Sequence, residues 1–372
     1  MTAEAIISSM SFLDDDLLLE AEIRRNKNEK KKIFLKPAIA IAACLALVAV
    51  SVLGYNSLSN PKLTKLSVQF SDYSMGYEGE FLDNIEEYES GYPANHRFIT
   101  MPVYTDNCHD EKGTPSALTE SQLEERLQKT SELTGISIDT KTKSYANDLY
   151  GGYENDFVYN ITSESESGSI IVNSAGGVTA VFSKPHRVDY DFDPSEKENR
   201  EKIIEHYSDI FSPFISEFIN FKSPDFITSR EMLADCSYIY IYRAYDSSGN
   251  KKDDVLRSSL QYAEFRIDDS GNLYWIHICD SLISSEKIGD YPVKSESDAK
   301  KELLEGDYFS NVPYEIKGEN FIVKSELIYK SDGELFIPCY KFLVELPDAP
   351  QNTKYKNYGI FYVCAVKDDY IK

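Results

Sequence analysis

The residues of this chain that could do chemistry are scattered. Its five histidines are His96, His109, His186, His206 and His277. None lies in an H-E-x-x-H zinc motif, and none accompanies a G-x-S-x-G serine elbow. Cys108-His109-Asp110-Glu111 places metal-ligand types in a row, but no second ligand pair occurs at zinc spacing, so the cluster reads as a polar loop. His277 lies in Tyr274-Trp275-Ile276-His277-Ile278-Cys279. Strand alternation puts Tyr274, Ile276 and Ile278 on one face and Trp275, His277 and Cys279 on the other, which makes His277 a sheet histidine held by its neighbours. Asp246-Ser247-Ser248-Gly249-Asn250, Asp268-Asp269-Ser270-Gly271-Asn272 and Ser331-Asp332-Gly333-Glu334 lack the EF-hand spacing and read as turns. Carboxylates are too abundant for spacing to single out a glycosidase pair. No Walker loop occurs. The expectation is a protein that is not an enzyme, with no catalytic, cofactor-binding or metal-ligating residues and no cofactor.

Five of the six cysteines, Cys108, Cys236, Cys279, Cys339 and Cys364, lie beyond residue 54. Their odd number and the lack of a C-x-x-C pair exclude a disulfide framework and a zinc site. Cys339 falls in the strand-like run 335–346 and Cys364 in 358–366. A bridge is geometrically feasible if those strands pair; buried free thiols are the alternative. Cys44, in Ile41-Ala42-Ala43-Cys44, fits a loose lipobox. The chain stays apolar from Leu45 to Leu53, however, so Cys44 reads as a small residue in a membrane helix.

That helix is the one long apolar run, residues 33–54. Its 22 residues give a helix of roughly 33 Å, against a hydrocarbon core of ~30 Å. Arg24, Arg25, Lys27, Lys30, Lys31, Lys32 and Lys36 lie before or at its start, and no basic residue occurs in 55–61. The positive-inside rule keeps residues 1–32 in the cytoplasm and exports the chain beyond residue 54. A cleaved signal normally has a shorter leader and a shorter apolar core. Within residues 1–32, Ile6, Ile7, Met10, Leu13, Leu17, Leu18 and Ala21 recur at helical spacing, with Asp14-Asp15-Asp16 toward a polar side. A segment this short cannot bury its own stripe, and the acidic triplet disfavours an anionic leaflet. Ile6, Met10, Leu13 and Leu17 are therefore candidate partner-docking residues.

Residues 1–54 carry seven acidic and seven basic side chains, so the net charge of −23 belongs to the exported part. Nucleic acid as a partner is excluded there by sign.

The rest of the chain reads as helices succeeded by strands. Residues 55–117 form a stalk and first strands joining the first sheet. Unit one, 118–190, opens with Thr119 and Gln122 as a capping box and continues into strands at 136–143, 156–163, 169–173 and 178–183. Unit two, 191–288, has a helix at about 196–210, then strands at 237–245, 259–267 and 273–279. Unit three, 289–372, has Ser295 and Asp298 at a helix start, then strands at 321–329, 335–346 and 358–366. With 27 Tyr and 19 Phe, aromatic-rich antiparallel sheets are expected.

Phe12-Leu13-Asp14-Asp15-Asp16-Leu17, Ala42-Ala43-Cys44-Leu45, Met101-Pro102-Val103-Tyr104, Tyr291-Pro292-Val293 and Tyr340-Lys341-Phe342-Leu343-Val344-Glu345-Leu346-Pro347 carry a resemblance to uncharacterised single-pass membrane proteins of clostridia and relatives. The helix-plus-strand units resemble PepSY-like domains. The resemblance implies an α+β fold: one N-terminal transmembrane helix and then repeated helix-plus-antiparallel-sheet units outside the cell. It also implies an anti-sigma-like or sensor-kinase-regulator-like layout, although no zinc cluster stands in residues 1–32. The expected function is a membrane-anchored, non-enzymatic regulatory or sensory protein. Its exported region would bind a protein, peptide or wall ligand, and its cytosolic helix a sigma factor or kinase. The alternatives are a purely extracellular binding or inhibitory module, and an unrecognised cell-surface hydrolase.

Overall fold

The computed structural model describes residues 63–70, 77–82, 85, 88, 92–93, 98–107, 118–149, 156–187, 193–194, 196–232, 237–247, 249–350 and 355–372. The apolar run 33–54, the basic residues Arg24 to Lys36 and the docking candidates Ile6, Met10, Leu13 and Leu17 lie outside them. Among the described residues no helix is long and apolar enough to cross a membrane.

Residues 63–372 form one unit built on two antiparallel sheets. The larger has eight strands in the order β4-β5-β6-β7-β11-β10-β9-β8. These are β4 (Thr140–Tyr145), β5 (Val158–Ser165), β6 (Gly168–Asn173), β7 (Val178–Arg187), β8 (Pro224–Met232), β9 (Tyr238–Asp246), β10 (Gln261–Asp268) and β11 (Asn272–Asp280). The smaller has seven: β1 (Gly79–Leu82), β2 (Tyr92–Pro93), β3 (Thr100–Thr105), β12 (Lys287–Pro292), β13 (Ile322–Ser331), β14 (Leu335–Glu345) and β15 (Lys356–Cys364). Its main path runs β1-β15-β14-β13-β2, with β3 paired to β14 and β12.

This architecture corrects the expected string of repeated PepSY-like units. Units one and two share a continuous sheet, because β7 pairs with β11. The third sheet is not self-contained: β1, β2 and β3, from the segment read as a stalk on the first sheet, pair with its β15, β13, β12 and β14. The physical reason is edge satisfaction. Three strands on their own leave open edges, and the aromatic and β-branched strands of residues 79–105 cover them. The ends of the unit are also tied. The Leu66 amide donates to the Tyr370 carbonyl and the Lys372 amide to the Leu66 carbonyl, each at 2.8 Å.

Helix α1 (Glu120–Thr134) starts where the capping box predicts, with Thr119 and Gln122 bonded reciprocally, and ends at Gly135 with φ 72°. Helix α2 (Arg200–Phe218) runs well beyond residue 210, through Pro213. Proline forfeits one hydrogen bond there, but Phe214, Ile215 and Phe218 are buried against the large sheet, and their burial outweighs that loss. Both helices cover one face, where Leu123, Leu127, Ile203 and Tyr207 meet Ile161, Ile170, Phe265 and Ile278. Helix α4 (Glu296–Glu305) has the Ser295–Asp298 capping box and ends at Gly306 with φ 90°.

Helix α3 (Lys251–Leu260) is the element that sequence reasoning missed. It lies between β9 and β10, where the chain reads as a turn and then a strand. Asn250 caps it, its side chain accepting from the Lys252 and Asp253 amides at 2.9 and 3.2 Å, and Asp253 and Asp254 sit in its favourable first turn. Although α3 connects strands of the large sheet, Val255, Leu256 and Leu260 are buried in the core of the small one, with Met101, Tyr329 and Phe336. The Tyr329 amide donates to Ser259 Oγ at 3.1 Å.

Leu256→Ala is therefore expected to cost about 2–5 kcal/mol and to lower the denaturation midpoint of both sheets together. Chemical unfolding monitored by far-UV dichroism and by tyrosine fluorescence checks this. Two separated transitions, only one of them shifted, would show that α3 does not couple the sheets.

Candidate functional site

A cavity of about 380 Å³ lies where the two sheets meet. Small-molecule sites start at about 300 Å³. One wall comes from β8 and β9, with Ser229, Glu231, Ile241 and Arg243; the other comes from β1, β13, β14 and β15, with Glu80, Glu326, Lys341 and Tyr362. Ser258 and Ser259 of α3 close one side and Tyr88 contributes from the segment after β1.

The charges in it arise from strand alternation. Lys341 and Tyr362 are register partners on β14 and β15, and Glu326 is the β13 partner of Lys341. The Lys341 ammonium donates to Tyr88 Oη at 2.8 Å and stands 3.8 Å from the Glu326 carboxylate. Burial works against this ammonium, but Glu326 and Tyr88 outweigh it and raise the pKa above the ordinary lysine value. Burial also pushes the Tyr88 hydroxyl up to about 12. Lys324 and Lys341 both approach the Tyr88 ring, at 5.6 and 5.5 Å from its centroid, a distance at which a cation is attracted to the ring face.

Across the cavity Arg243 is held by Glu264, from Nε at 3.0 Å and from the second terminal nitrogen at 2.6 Å. Arg266 shares the same carboxylate at 3.0 Å. Burial opposes the Glu264 charge; the two guanidiniums prevail and hold its pKa below the usual carboxylate range. Arg243 also lies over Tyr262 at 4.0 Å and Arg266 over Trp275 at 4.3 Å.

Glu80 differs from these groups. No hydrogen bond or ion pair holds its carboxylate among the described residues. Burial pushes its pKa up to about 7; Lys341 pulls it down, and Glu231 and Glu326 add to the rise. The cavity thus contains one acid that is half ionised near neutrality, while Lys341 and Arg243 are already neutralised by Glu326 and Glu264.

His277 sits on the face of the large sheet opposite α1 and α2, its Nδ1 2.9 Å from Thr179 Oγ1 and its ring stacked on Trp275 at 5.2 Å. Burial lowers its pKa to about 4, which keeps it neutral. Trp275 and Cys279 share its face, whereas Ile276 and Ile278 join the core. Leu273, rather than Tyr274, completes the core row, because register shifts at Arg266/Ile267 and Leu273/Trp275 displace the alternation around the Asp268–Asn272 turn. Cys339 and Cys364 are brought directly opposite each other. The Cys108–Glu111 cluster lies outside the described residues, and among those no acid, histidine and cysteine group suited to a metal occurs.

Sequence reasoning did not find Glu80, Glu326 or Lys341. Each sits on a different strand, and only the pairing of residues 79–82 with the C-terminal strands assembles them. An alternating strand with a charged residue at an inward position was the available signal.

The raised pKa of Glu80 makes stability pH-dependent with a definite sign. Its pKa is higher folded than unfolded, so the folded state binds more protons between about pH 4.5 and 7, and stability falls as pH rises through that window. Glu80→Gln removes the ionisation. It is expected to leave urea stability unchanged at pH 5 and to increase it at pH 8, by on the order of a few kcal/mol. Equal midpoints for both proteins at pH 8 would show that Glu80 is not buried as described.

No family model matches the chain, and neither a curated protein nor a solved structure does.

Proposed function

We propose that this chain is a membrane-anchored, non-enzymatic binding protein whose exported region takes the ammonium group of a peptide ligand into the cavity at Glu80. The carrying observation is that carboxylate: half-buried, without an ion-pair partner among the described residues, and sharing the cavity with Lys341 and Arg243, which are already paired with Glu326 and Glu264. An incoming ammonium supplies the missing charge partner.

The non-enzymatic reading is supported by how the polar groups are used. The Ser258 and Ser259 hydroxyls donate to the Val255 carbonyl at 3.2 and 2.9 Å, so neither is poised as a nucleophile. Among the described residues no histidine or cysteine lines the cavity, and no usual nucleophile–base pair is assembled from them. The lining does bring acids together, Glu80 with Glu231 and Glu326, but it is rich in charge rather than apolar-walled as the hydrolase alternative requires.

The anchor is the apolar run 33–54 with its basic flank Arg24, Arg25, Lys27, Lys30, Lys31, Lys32 and Lys36. In this reading Ile6, Met10, Leu13 and Leu17 dock a cytosolic partner such as a sigma factor or kinase. If they do not, the protein is a purely extracellular binding module.

The ligand claim is tested with the full chain in detergent by calorimetric titration with trialanine and N-acetyl-trialanine. Trialanine is expected to bind about fivefold more tightly at pH 7 than at pH 6, a range in which its α-amino group stays protonated and the ionised fraction of Glu80 rises. The acetylated peptide should not bind, and Glu80→Gln should abolish the pH dependence. Equal affinity for both peptides would refute ammonium recognition.

For topology, protease added to intact spheroplasts should degrade residues 63–372 and spare an N-terminal tag. A tag destroyed together with that region would reverse the orientation.

A further inference from the structure

We propose that Cys339 and Cys364 form a disulfide that oxidation closes across β14 and β15, one register step from the cavity. The two are Cα register partners. A neighbouring hydrogen bond fixes the kind of pair they make: the Ala365 amide donates to the Pro338 carbonyl at 2.9 Å. It joins the residue after Cys364 to the residue before Cys339. In an antiparallel ladder this pattern brackets a non-hydrogen-bonded pair, in which the Cα atoms stand ~4.5 Å apart and the side chains project from the same face. A disulfide requires Cα atoms about 4.4–6.8 Å apart. The pairing therefore places the two thiols within the range that a disulfide spans.

The surroundings favour the same pairing. Cys339 is fully buried, whereas Cys364 is only partly covered. On that face the next pair along the ladder is Lys341 with Tyr362, both lining the cavity. On the other side lie the buried Ile337 and Val366. Cys279, the remaining described cysteine, stands opposite Tyr262 and has no thiol across the ladder.

The exposed edge of Cys364 sets the order of events. Its thiolate attacks a low-molecular-weight disulfide such as oxidised glutathione, forming a mixed disulfide and releasing one glutathione thiolate. Cys339, its proton lost to solvent, then attacks the Cys364 sulfur and expels the second glutathione. Two protein thiols are oxidised, one disulfide is reduced to two thiols, and the two protons end on the released glutathiones. Burial pushes the Cys364 thiol up to about 11 and raises Cys339 further. Closure is accordingly slow, and the buried bond is sheltered from exchange once made. The pair is a structural clamp on the two strands that carry Lys341 and Tyr362, and it stands independently of what the cavity binds.

The full chain in detergent is incubated with oxidised glutathione at pH 8.5, alkylated under denaturing conditions, digested with trypsin and analysed by mass spectrometry. Cleavage after Lys330, Lys341, Lys356 and Lys367 separates residues 331–341 from residues 357–367, so a bridge joins two distinct peptides. The expected result is that joined species, lighter by two hydrogens than the sum of its parts and separated by reductant. The thermal midpoint of the oxidised protein should exceed that of the reduced protein, and Cys364→Ser should abolish both the joined species and the shift. Recovery of the two peptides alkylated separately would overturn the proposal. So would Cys364 retained as a glutathione adduct beside a free Cys339, or either cysteine joined to a different partner.

Discussion

Val255, Leu256 and Leu260 sit on a helix that connects two strands of one sheet, yet they bury their side chains in the core of the other. At about 1.5–3 kcal/mol for each large apolar side chain removed from water, this burial is strong enough to bind the sheets into one unit. Polar ties reinforce it. Arg257 pairs with the buried Asp246 at the end of β9, and Lys252 donates to Thr100 Oγ1 of β3 at 3.0 Å. The helix is short, and its position is fixed at both ends by strands of the sheet whose core it does not enter. The space left beside it, between β8–β9 and β13–β14, is where the cavity opens.

That origin explains the character of the cavity. Where two sheets meet, charged side chains are stranded in a region water reaches poorly, and each charge must be matched internally or shift its pKa. Lys341 is matched by Glu326 and Arg243 by Glu264. Glu80 enters on β1, a four-residue strand laid across the edge of β15, and arrives where those cations are already committed. The imbalance belongs to the assembly of distant segments rather than to any one strand.

The parts of this structure legible in the sequence are those with local causes. Thr119 with Gln122 and Ser295 with Asp298 mark helix starts because capping is decided within four residues. The turns at Asp268–Asn272 and Ser331–Glu334 are equally local; in the second, Asp332 accepts from the Glu334 and Leu335 amides and Gly333 takes a φ of 99°. Helix α3 was illegible because its cap, Asn250, completes an acidic glycine-containing run that reads as a turn. The end of α2 was misplaced because proline propensity is a local rule that tertiary burial overrode. The joining of β7 to β11 and the recruitment of β1 to β3 into the C-terminal sheet depend on which edges remain open. Periodicity says nothing about that choice, and the expectation of separate repeated units failed there. The cavity inherits the same opacity, since its residues come from opposite ends of the unit, as the pairing of Glu80 with Tyr358 shows.

The short tie between Leu66 and residues 370–372 makes two distant stretches of chain depend on each other. The parallel bridge of Leu66 to Ile371 and the two hydrogen bonds of Leu66 with Tyr370 and Lys372 are shared property. Fraying that starts at residue 63 and fraying that starts at residue 372 must break the same bonds, so the two are one local opening event rather than two.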